Sequence, residues 1–291
     1  MRSVYGMDNI RIGTCSWKYP SWKGLVYSAA KPRNYLEEYA KKFDTVEIDQ
    51  WFWSLFSEDK IVLPDPDTVS EYRRSVPENF RFTVKAPNSL TLTHLYTRLT
   101  GGKLVANHHF LSVPLFVRFT DLLKPFEDKL GPVMLQFEYL NRKKMTGFPS
   151  FLNKIRAFLE ALPVSLPLAL EPRNPQYLST EYFEFLAERG LSHVFLQGYF
   201  MPDIRSIYAR YGHLITNPVV IRLHGYERDE IEKKTGKIYN TVVESKDEEL
   251  PGIIEMIQDL RSRGLTVYLN VNNHYEGSAP LTIEKIRGLL V

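Results

Sequence analysis

Eight short apolar segments with strand character recur along the chain, and each is followed by sequence that has, or is compatible with, a helical pattern. The segment at residues 166–170 is apolar throughout, as expected for a strand of a parallel sheet that is covered on both faces. Such alternation favours parallel pairing through crossover helices. The sequence therefore predicts an α/β protein, a (β/α)₈ TIM barrel with a closed parallel sheet of eight strands. An open doubly wound sheet is the alternative, and the lack of a glycine-rich dinucleotide-binding turn in the sequence weakens it.

The chain of 291 residues is predicted to form one TIM-barrel domain over residues 1–291. Such a barrel takes about 250 residues, which leaves room for modest insertions. We expect a long, partly helical insertion at about residues 94–129. Strands are predicted at residues 10–13, 45–49, 81–85, 132–137, 166–170, 193–197, 220–224 and 265–271. Helices are predicted at residues 32–43, 64–76, 120–129, 151–159, 180–190, 203–211, 250–260 and 282–290.

Most of the predicted strands end in two polar residues separated by one position. The pairs are Glu47 and Asp49, Thr83 and Lys85, Gln136 and Glu138, Glu171 and Arg173, Arg222 and His224, and Asn270 and Asn272. Residues two positions apart in a strand share a face, and the strand ends of a barrel form one rim, where the active sites of TIM barrels lie. An unsatisfied buried polar group costs about 1–3 kcal/mol, so these groups have to pair with one another or face a ligand. The pattern predicts a binding site at the C-terminal mouth of the barrel.

The residue types at this rim suit acid–base chemistry on a small ligand. Candidate catalytic residues are Glu47, Lys85, Glu171 and His224. Candidate ligand-binding residues are Trp17, Tyr19, Asp49, His94, Gln136, Arg173, Arg222, Asn272 and Asn273. Two carboxylates whose pKa values are separated by burial and by nearby cations can divide the roles of acid and base. We expect a hydrolase, isomerase or lyase that binds a small anionic or polyhydroxylated ligand, such as a sugar or a phosphate.

The cationic residues of the rim each allow two roles. Arg173 and Arg222 can dock an anionic group, since arginine forks match carboxylates and phosphates. Arg222 can instead be the structural partner of Glu171. Lys85 is either a Schiff-base lysine, desolvated at a strand end, or an ion-pair partner of Glu47. The sequence leaves these choices open.

Several motifs along the chain match one known family. They are Gly13-Thr14-Cys15-Ser16-Trp17, Phe43-Asp44-Thr45-Val46-Glu47-Ile48, Phe82-Thr83-Val84-Lys85 with Thr93-His94, Pro132-Val133-Met134-Leu135-Gln136, Ala169-Leu170-Glu171, Arg222-Leu223-His224-Gly225 and Asn272-Asn273-His274. With these motifs the chain resembles the YecE-like family, called domain of unknown function 72, over nearly its whole length. The resemblance implies a TIM-type barrel and no established reaction. The chain departs from the family pattern at Cys15, where a serine is usual, at Asp49, where an asparagine is usual, and on both sides of Arg173.

A metal-dependent reaction is a further interpretation of the rim. Its ligands would be Asp49, His94, Glu138, Glu171, His224 and His274. The rim also carries Arg173, Arg222 and Lys85, which would repel a dication, and the sequence has no compact ligand motif such as His-Glu-x-x-His. We therefore expect no metal and no other cofactor. Cys15 is expected to be a small buried residue rather than a nucleophile.

Nucleic-acid binding is the alternative function, including metal-dependent cleavage at abasic sites in DNA. Aromatic residues interleaved with basic ones suit single strands or flipped bases. These residues are Trp17, Tyr19, Trp51, Trp53, Tyr139, Tyr199 and Tyr226, with Arg142, Lys143, Lys144, Lys233 and Lys234. The net charge of only +3 and the acidic run at residues 247–249 count against a polyanionic partner.

The sequence also bears on the cellular location. It has no apolar signal stretch at its N-terminus and no run of the ~20 apolar residues that a spanning helix needs. We expect a cytoplasmic protein without membrane contact. The sequence does not indicate an oligomeric state.

Overall fold

Eight parallel strands form a closed barrel in the computed structural model, which describes residues 9–163 and 165–290. The strands are β1 (Ile10–Cys15), β2 (Thr45–Ile48), β3 (Arg81–Lys85), β4 (Leu130–Gln136), β5 (Leu168–Glu171), β6 (Ser192–Gly198), β7 (Val219–Gly225) and β8 (Val267–Val271). Each strand pairs with its neighbours in the sequence, and β8 pairs with β1. The predicted (β/α)₈ barrel is confirmed.

Helices connect these strands along the outside of the barrel. They are α1 (Tyr35–Tyr39), α2 (Pro66–Arg74), α3 (Asn88–Thr91), α4 (Val113–Leu123), α5 (Phe148–Glu160), α6 (Thr180–Arg189), α7 (Ile204–Tyr211), α8 (Arg228–Thr235), α9 (Leu250–Ser262) and α10 (Ala279–Leu290). The ends of α6 follow the predicted signals: the Ser179 side chain accepts a hydrogen bond from the N–H of Tyr182, and Gly190 is left-handed. None of the described helices has the length and apolar content needed to cross a bilayer.

Two helices differ from their predicted limits for local reasons. The Asn34 side chain accepts hydrogen bonds from the first backbone N–H groups of α1, so this helix begins after Asn34 rather than near residue 32. The helix predicted at residues 120–129 begins earlier, at Val113, behind the cap residue Ser112. Pro125 has no N–H to donate, and the chain continues as a 3₁₀ helix over Lys124–Lys129.

Residues 94–129, the predicted insertion, are partly helical. They contain a 3₁₀ turn at Thr97–Leu99, then α4, then the 3₁₀ helix at Lys124–Lys129. Because α4 connects β3 to β4, it is the ordinary crossover helix of the barrel. The additional length therefore lies before Val113.

The strand register brings the polar strand ends to a similar height. Cys15 is in register with Glu47 on the neighbouring strand, and Gln136 with Glu171. Residues in register share a face of the sheet, and here that face lines the inside of the barrel. Below this polar layer the interior is filled by an apolar cluster of Met134, Ala169, Val194 and Val220. The candidate site therefore has an apolar floor.

His193 lies on the outer face of the barrel wall, between β6 and α6. Its Nδ1 is 3.2 Å from the hydroxyl oxygen of Tyr182, and its ring packs edge-on against Phe183 and Phe195. Burial among these rings lowers the pKa of His193 to about 3. The folded protein therefore keeps this imidazole neutral at pH values at which the unfolded chain binds a proton.

Acidification should destabilise the protein through His193. Its native pKa lies below the unfolded value of about 6.5, so the stabilisation is complete above that pH. It should be lost as the pH falls towards 3, by up to about 1.4 kcal/mol per pH unit. We expect His193→Gln to flatten this dependence of the free energy of unfolding, measured by urea denaturation across that range. His213→Gln, at an exposed position, is the control and should keep the wild-type slope. An unchanged slope in His193→Gln would contradict the prediction.

Candidate active site

A buried arginine joins two buried glutamates from different sides of the barrel. Arg222 on β7 donates from Nε and Nη2 to the two carboxylate oxygens of Glu47 on β2, at 2.7 Å each. Its Nη1 donates to Oε2 of Glu171 on β5 at 2.5 Å and to Oε1 of Gln136 at 3.3 Å. The side chains of the three charged residues are at most 1% exposed. Of the two roles considered for Arg222, these contacts favour the structural one, because all its donor nitrogens are directed at acceptors of the protein.

Arg173 carries the network outward to the mouth. Its Nε and Nη2 each lie 2.7 Å from Oε1 of Glu171, and its side chain is 17% exposed. The guanidinium carbon lies 4.6 Å from the ring centre of Tyr199. Burial raises the pKa of Glu171, but Arg222, Arg173 and Lys85 together outweigh burial and bring it below its usual value. Glu171 is therefore an ionised anchor for both arginines at neutral pH.

Lys85, the last residue of β3, is buried at the end of the barrel that carries the mouth and has no acidic partner among the described residues. Within residues 9–163 and 165–290, its Nζ forms no hydrogen bond or salt bridge, and it lies 4.0 Å from the ring centre of Phe52. The considered ion pair with Glu47 is not formed, since Arg222 holds both oxygens of that carboxylate. Burial, and after it the positive charge of Arg222, lowers the pKa of Lys85.

Asp49 follows β2 and faces the same charges. Burial, and after it the negative charge of Glu47, raises the pKa of Asp49, while Lys85 and Arg222 oppose this rise. The pKa values of Asp49 and Lys85 are therefore shifted towards each other. Shifts in these directions are typical of groups that transfer protons in active sites.

A chain of contacts through Cys15, His224 and Tyr199 was not foreseen from the sequence. The Cys15 sulfur lies 3.4 Å from Nε2 of His224 and donates to Oε2 of Glu47 at 3.6 Å. On the other side of the ring, Nδ1 of His224 lies 3.3 Å from the Tyr199 hydroxyl. Burial, then the charge of Glu47, raises the pKa of Cys15, and burial, then Arg222, lowers that of His224. Both groups are therefore neutral at pH 7.

The possible metal ligands that the structure brings together share His224 with the set considered from the sequence and otherwise differ from it. Among the described residues, ligand atoms of Cys15, Glu47 and His224 lie within 4.8 Å of one another. A thiolate, a carboxylate and an imidazole are ordinary zinc ligands. Here, however, Arg222 binds both oxygens of Glu47, and further cations lie nearby. This donor set does not favour a dication, and the absence of a metal stays a prediction.

A pocket of about 630 Å³ opens beside this network, at the ends of β4, β5 and β6. Two of the predicted ligand-binding residues, Gln136 and Arg173, line it. Glu138, Tyr139, Tyr199 and Phe200 contribute further walls. The pocket joins polar groups with exposed aromatic surface, as small-ligand sites commonly do.

The outer candidate residues have varied surroundings. Trp17 is fully buried and packs edge-on against Tyr72, while Tyr19 is half-buried beside Trp22. Nδ1 of His94 lies 2.9 Å from the Thr93 hydroxyl.

The two candidate asparagines hold the loop after β8. Oδ1 of Asn272 accepts a hydrogen bond from the N–H of His274, and Oδ1 of Asn273 accepts one from the N–H of Ala279. Their oxygens therefore shape this loop, and the Asn273 side chain is buried within it.

Comparison with known proteins finds relatives over most of the chain. A family model described as "Protein of unknown function DUF72" matches residues 11–291. The UPF0759 protein YecE of Escherichia coli K12 is 27% identical over 182 residues, which make up 62% of this chain. The chain spans 55% of the length of that relative, and the same share of YecE from Escherichia coli O157:H7.

Solved structures of similar proteins have the same architecture. A DUF72 family protein of Thermotoga maritima MSB8 is 23% identical, with a TM-score of 0.66 over 97% of this chain and 98% of that chain. A DUF72 family protein of Enterococcus faecalis V583 is 22% identical, with a TM-score of 0.66 over 97% and 95% of the two chains. Identities at this level show a shared fold.

Removal of the central arginine should destabilise the protein strongly. Arg222→Met strands the buried carboxylates of Glu47 and Glu171, and we expect a loss of about 3–5 kcal/mol in the free energy of unfolding, measured by urea denaturation at neutral pH. Arg189→Met is the control, because Arg189 pairs with Glu160 at the surface, and it should cost at most about 1 kcal/mol. An unchanged or higher stability of Arg222→Met, together with lost anion binding, would restore the docking role of Arg222.

Proposed function

The chain belongs to the DUF72 family, and from the geometry of its barrel mouth we propose that it is an enzyme acting on a small anionic ligand. The observation that carries this proposal is the position of Arg173, which lines the pocket while it is held from behind by Glu171. Ligands of this kind carry a phosphate or carboxylate group on a polyhydroxylated body.

The charges of the mouth favour an anion. Arg222 and Arg173 are paired with the carboxylates of Glu47 and Glu171, and Arg173 also lines the pocket. Arg173 uses Nε and Nη2 for Glu171, and its Nη1 has no acceptor within the described part of the chain. An arginine fork with a free edge matches a phosphate or carboxylate oxygen.

The rest of the pocket suits the uncharged part of such a ligand. Gln136 offers amide donor and acceptor groups, and Tyr139 is 57% exposed at the rim. Tyr199 presents its ring beside Arg173. Hydroxyl groups would find hydrogen-bond partners here, while the aromatic surfaces cover the apolar edges of the ligand.

We assign the acid–base work to Asp49 and Lys85. A carboxylate held below its usual pKa by arginines is a weak base and a poor proton donor, which applies to Glu171. Burial raises the pKa of Asp49 and lowers that of Lys85, so the two values are shifted in opposite directions. Proton transfer by such a pair suits an isomerase, a lyase or a hydrolase.

Nucleic-acid binding stays the alternative prediction, and the contacts give it little support. Trp17 and Trp51, two of the aromatic residues on which it depends, are buried in the core. Lys144, one of the basic residues, forms a salt bridge with Glu138. Trp53 is exposed and is available to stack on a ring.

Arg173 can be tested without loss of the central salt bridge, because Glu171 keeps Arg222 as its partner in Arg173→Met. We expect calorimetry to show binding of inorganic phosphate to the wild type and affinity at least about tenfold lower in Arg173→Met, since a hydrogen bond to a charged group contributes about 1.5–3 kcal/mol. Arg118→Met on α4, at an exposed position, is the control and should bind as the wild type does. Equal phosphate affinity of the wild type and a folded Arg173→Met, or no phosphate binding by either, would contradict the proposal.

A further inference from the structure

Two buried lysines in the described part of the chain have opposite surroundings. Lys129 is fully buried, and its Nζ donates to the backbone oxygens of Val76 at 3.2 Å and Pro77 at 2.7 Å. Lys85 is 9% exposed, has no such acceptor among the described residues, and faces the ring of Phe52. Lys129 is thus a satisfied structural ammonium, while Lys85 is not.

An ammonium ion in this position is costly. A buried charge without hydrogen-bond acceptors loses its hydration, which the contact with the Phe52 ring replaces only in part. Burial is the largest cause that lowers the pKa of Lys85, and Arg222 acts in the same direction, while Glu47, Asp49 and Glu171 oppose the shift. A lowered pKa raises the fraction of neutral amine, which is a nucleophile, whereas an ammonium ion is not.

We propose that Lys85 is a catalytic residue that forms an imine with the aldehyde or ketone group of an anionic substrate. This inference rests on the proposed function, since an anionic group docked at Arg173 would hold the ligand at the end of the barrel where Lys85 lies, behind the residues that line the pocket. The proposed function gives the ligand as a small anion, and the imine requires that this anion also has a carbonyl group. The substrate class is therefore an oxo acid or a sugar phosphate with a carbonyl group.

Imine formation needs only the substrate, Lys85 and Asp49 to account for every bond and proton. The lone pair of Lys85 Nζ forms a C–N bond to the carbonyl carbon, and the π pair of the C=O bond moves to oxygen. The oxygen takes a proton from Asp49, which then receives one from the nitrogen to give a neutral carbinolamine. Transfer of this proton from Asp49 to the hydroxyl group releases one water, and the nitrogen lone pair forms the C=N bond, which leaves a protonated imine and an ionised Asp49. No oxidant or reductant takes part.

An imine at this position limits the classes of reaction that the enzyme can catalyse. The C=N bond withdraws electrons from the neighbouring carbon and stabilises a carbanion there, which assists cleavage of a C–H or C–C bond. Such reactions are isomerisations and carbon–carbon lyase reactions rather than hydrolyses. We assign the proton transfer in either case to Asp49, which follows β2 and whose pKa is raised by burial and by Glu47.

Reductive trapping tests the inference on the intact protein. The chain is incubated at neutral pH with glyoxylate, pyruvate or dihydroxyacetone phosphate and sodium cyanoborohydride, and modified lysines are located by peptide mass spectrometry. With at least one of these probes we expect Lys85 to be labelled at least about tenfold faster than the exposed Lys154, because each unit of lowered pKa raises the fraction of neutral amine about tenfold. Lys129 should stay unlabelled, since its Nζ is enclosed by carbonyl oxygens. Arg173→Met should slow the labelling of Lys85.

The outcomes separate the inference from the proposed function. Labelling of Lys85 no faster than that of Lys154 with all three probes, while phosphate binding still depends on Arg173, overturns the imine and leaves the anion site standing. Fast labelling of Lys85 that is equal in Arg173→Met supports the imine and contradicts docking at Arg173. Lys85→Arg, which keeps the positive charge, shows whether the label depends on this amine, and an unchanged total label in this variant overturns the inference.

Discussion

The salt bridge of Arg222 with Glu47 and Glu171 is the interaction on which the barrel mouth depends. It links β7 to β2 and β5 across the interior, so one guanidinium sets the positions of carboxylates from two distant strands. Stability alone does not explain it, because apolar replacements of buried ion pairs are often neutral or stabilising. The layer below is apolar, with Met134 and Ala169 in it, so this barrel can be filled without charges. The charged layer is therefore accounted for better by the proposed function of the mouth than by stability.

This salt bridge also determines which polar groups are left for chemistry. It commits Glu47 and Glu171 to arginines. Within residues 9–163 and 165–290, Lys85 and Asp49 form no such salt bridge. Burial is the largest cause that lowers the pKa of Lys85 and raises that of Asp49, and the fixed charges of Arg222 and Glu47 add to these shifts. The salt bridge therefore helps to set the proton affinity of the two groups to which we assign the chemistry.

The fold and the location of the site could be predicted because they follow from periodicity. Polar residues two positions apart at strand ends must share a face, and a closed barrel gathers those faces at one mouth. The partners could not be predicted, since they depend on side-chain reach across the barrel. Glu47 pairs with Arg222, 175 residues away in the chain, rather than with Lys85 on the adjacent strand. The contact between Cys15 and His224 spans 209 residues and has no local signal.

The strand register also determines whether a polar residue near a strand end faces the mouth or the outer helices, which its polarity alone does not show. Gln197 ends β6, as polar residues end the other strands, but its register partner is Leu223, one position beyond the inward-facing Arg222. It therefore faces the helices, where it accepts a hydrogen bond from the N–H of Ile204 and donates one to Glu249. Trp17 likewise lies in a rim loop by sequence, yet its indole is buried in the core. A polar or aromatic residue near the rim is thus a ligand contact only where the register turns it towards the mouth.

The loop after β6 completes the site by means of its backbone. Gly198 has φ +133° and lies so close to β7 that a Cβ atom would be 2.1 Å from the backbone oxygen of Gly225, so only glycine fits there. Tyr199 and Phe200 follow at φ +53° and +63°, a conformation that costs non-glycine residues about 1–3 kcal/mol each and that clusters at functional sites. This turn places the Tyr199 ring over the guanidinium of Arg173. The salt bridge to Glu171 holds one edge of Arg173, and the Tyr199 ring covers the guanidinium, so these two contacts together restrict how Arg173 faces the pocket.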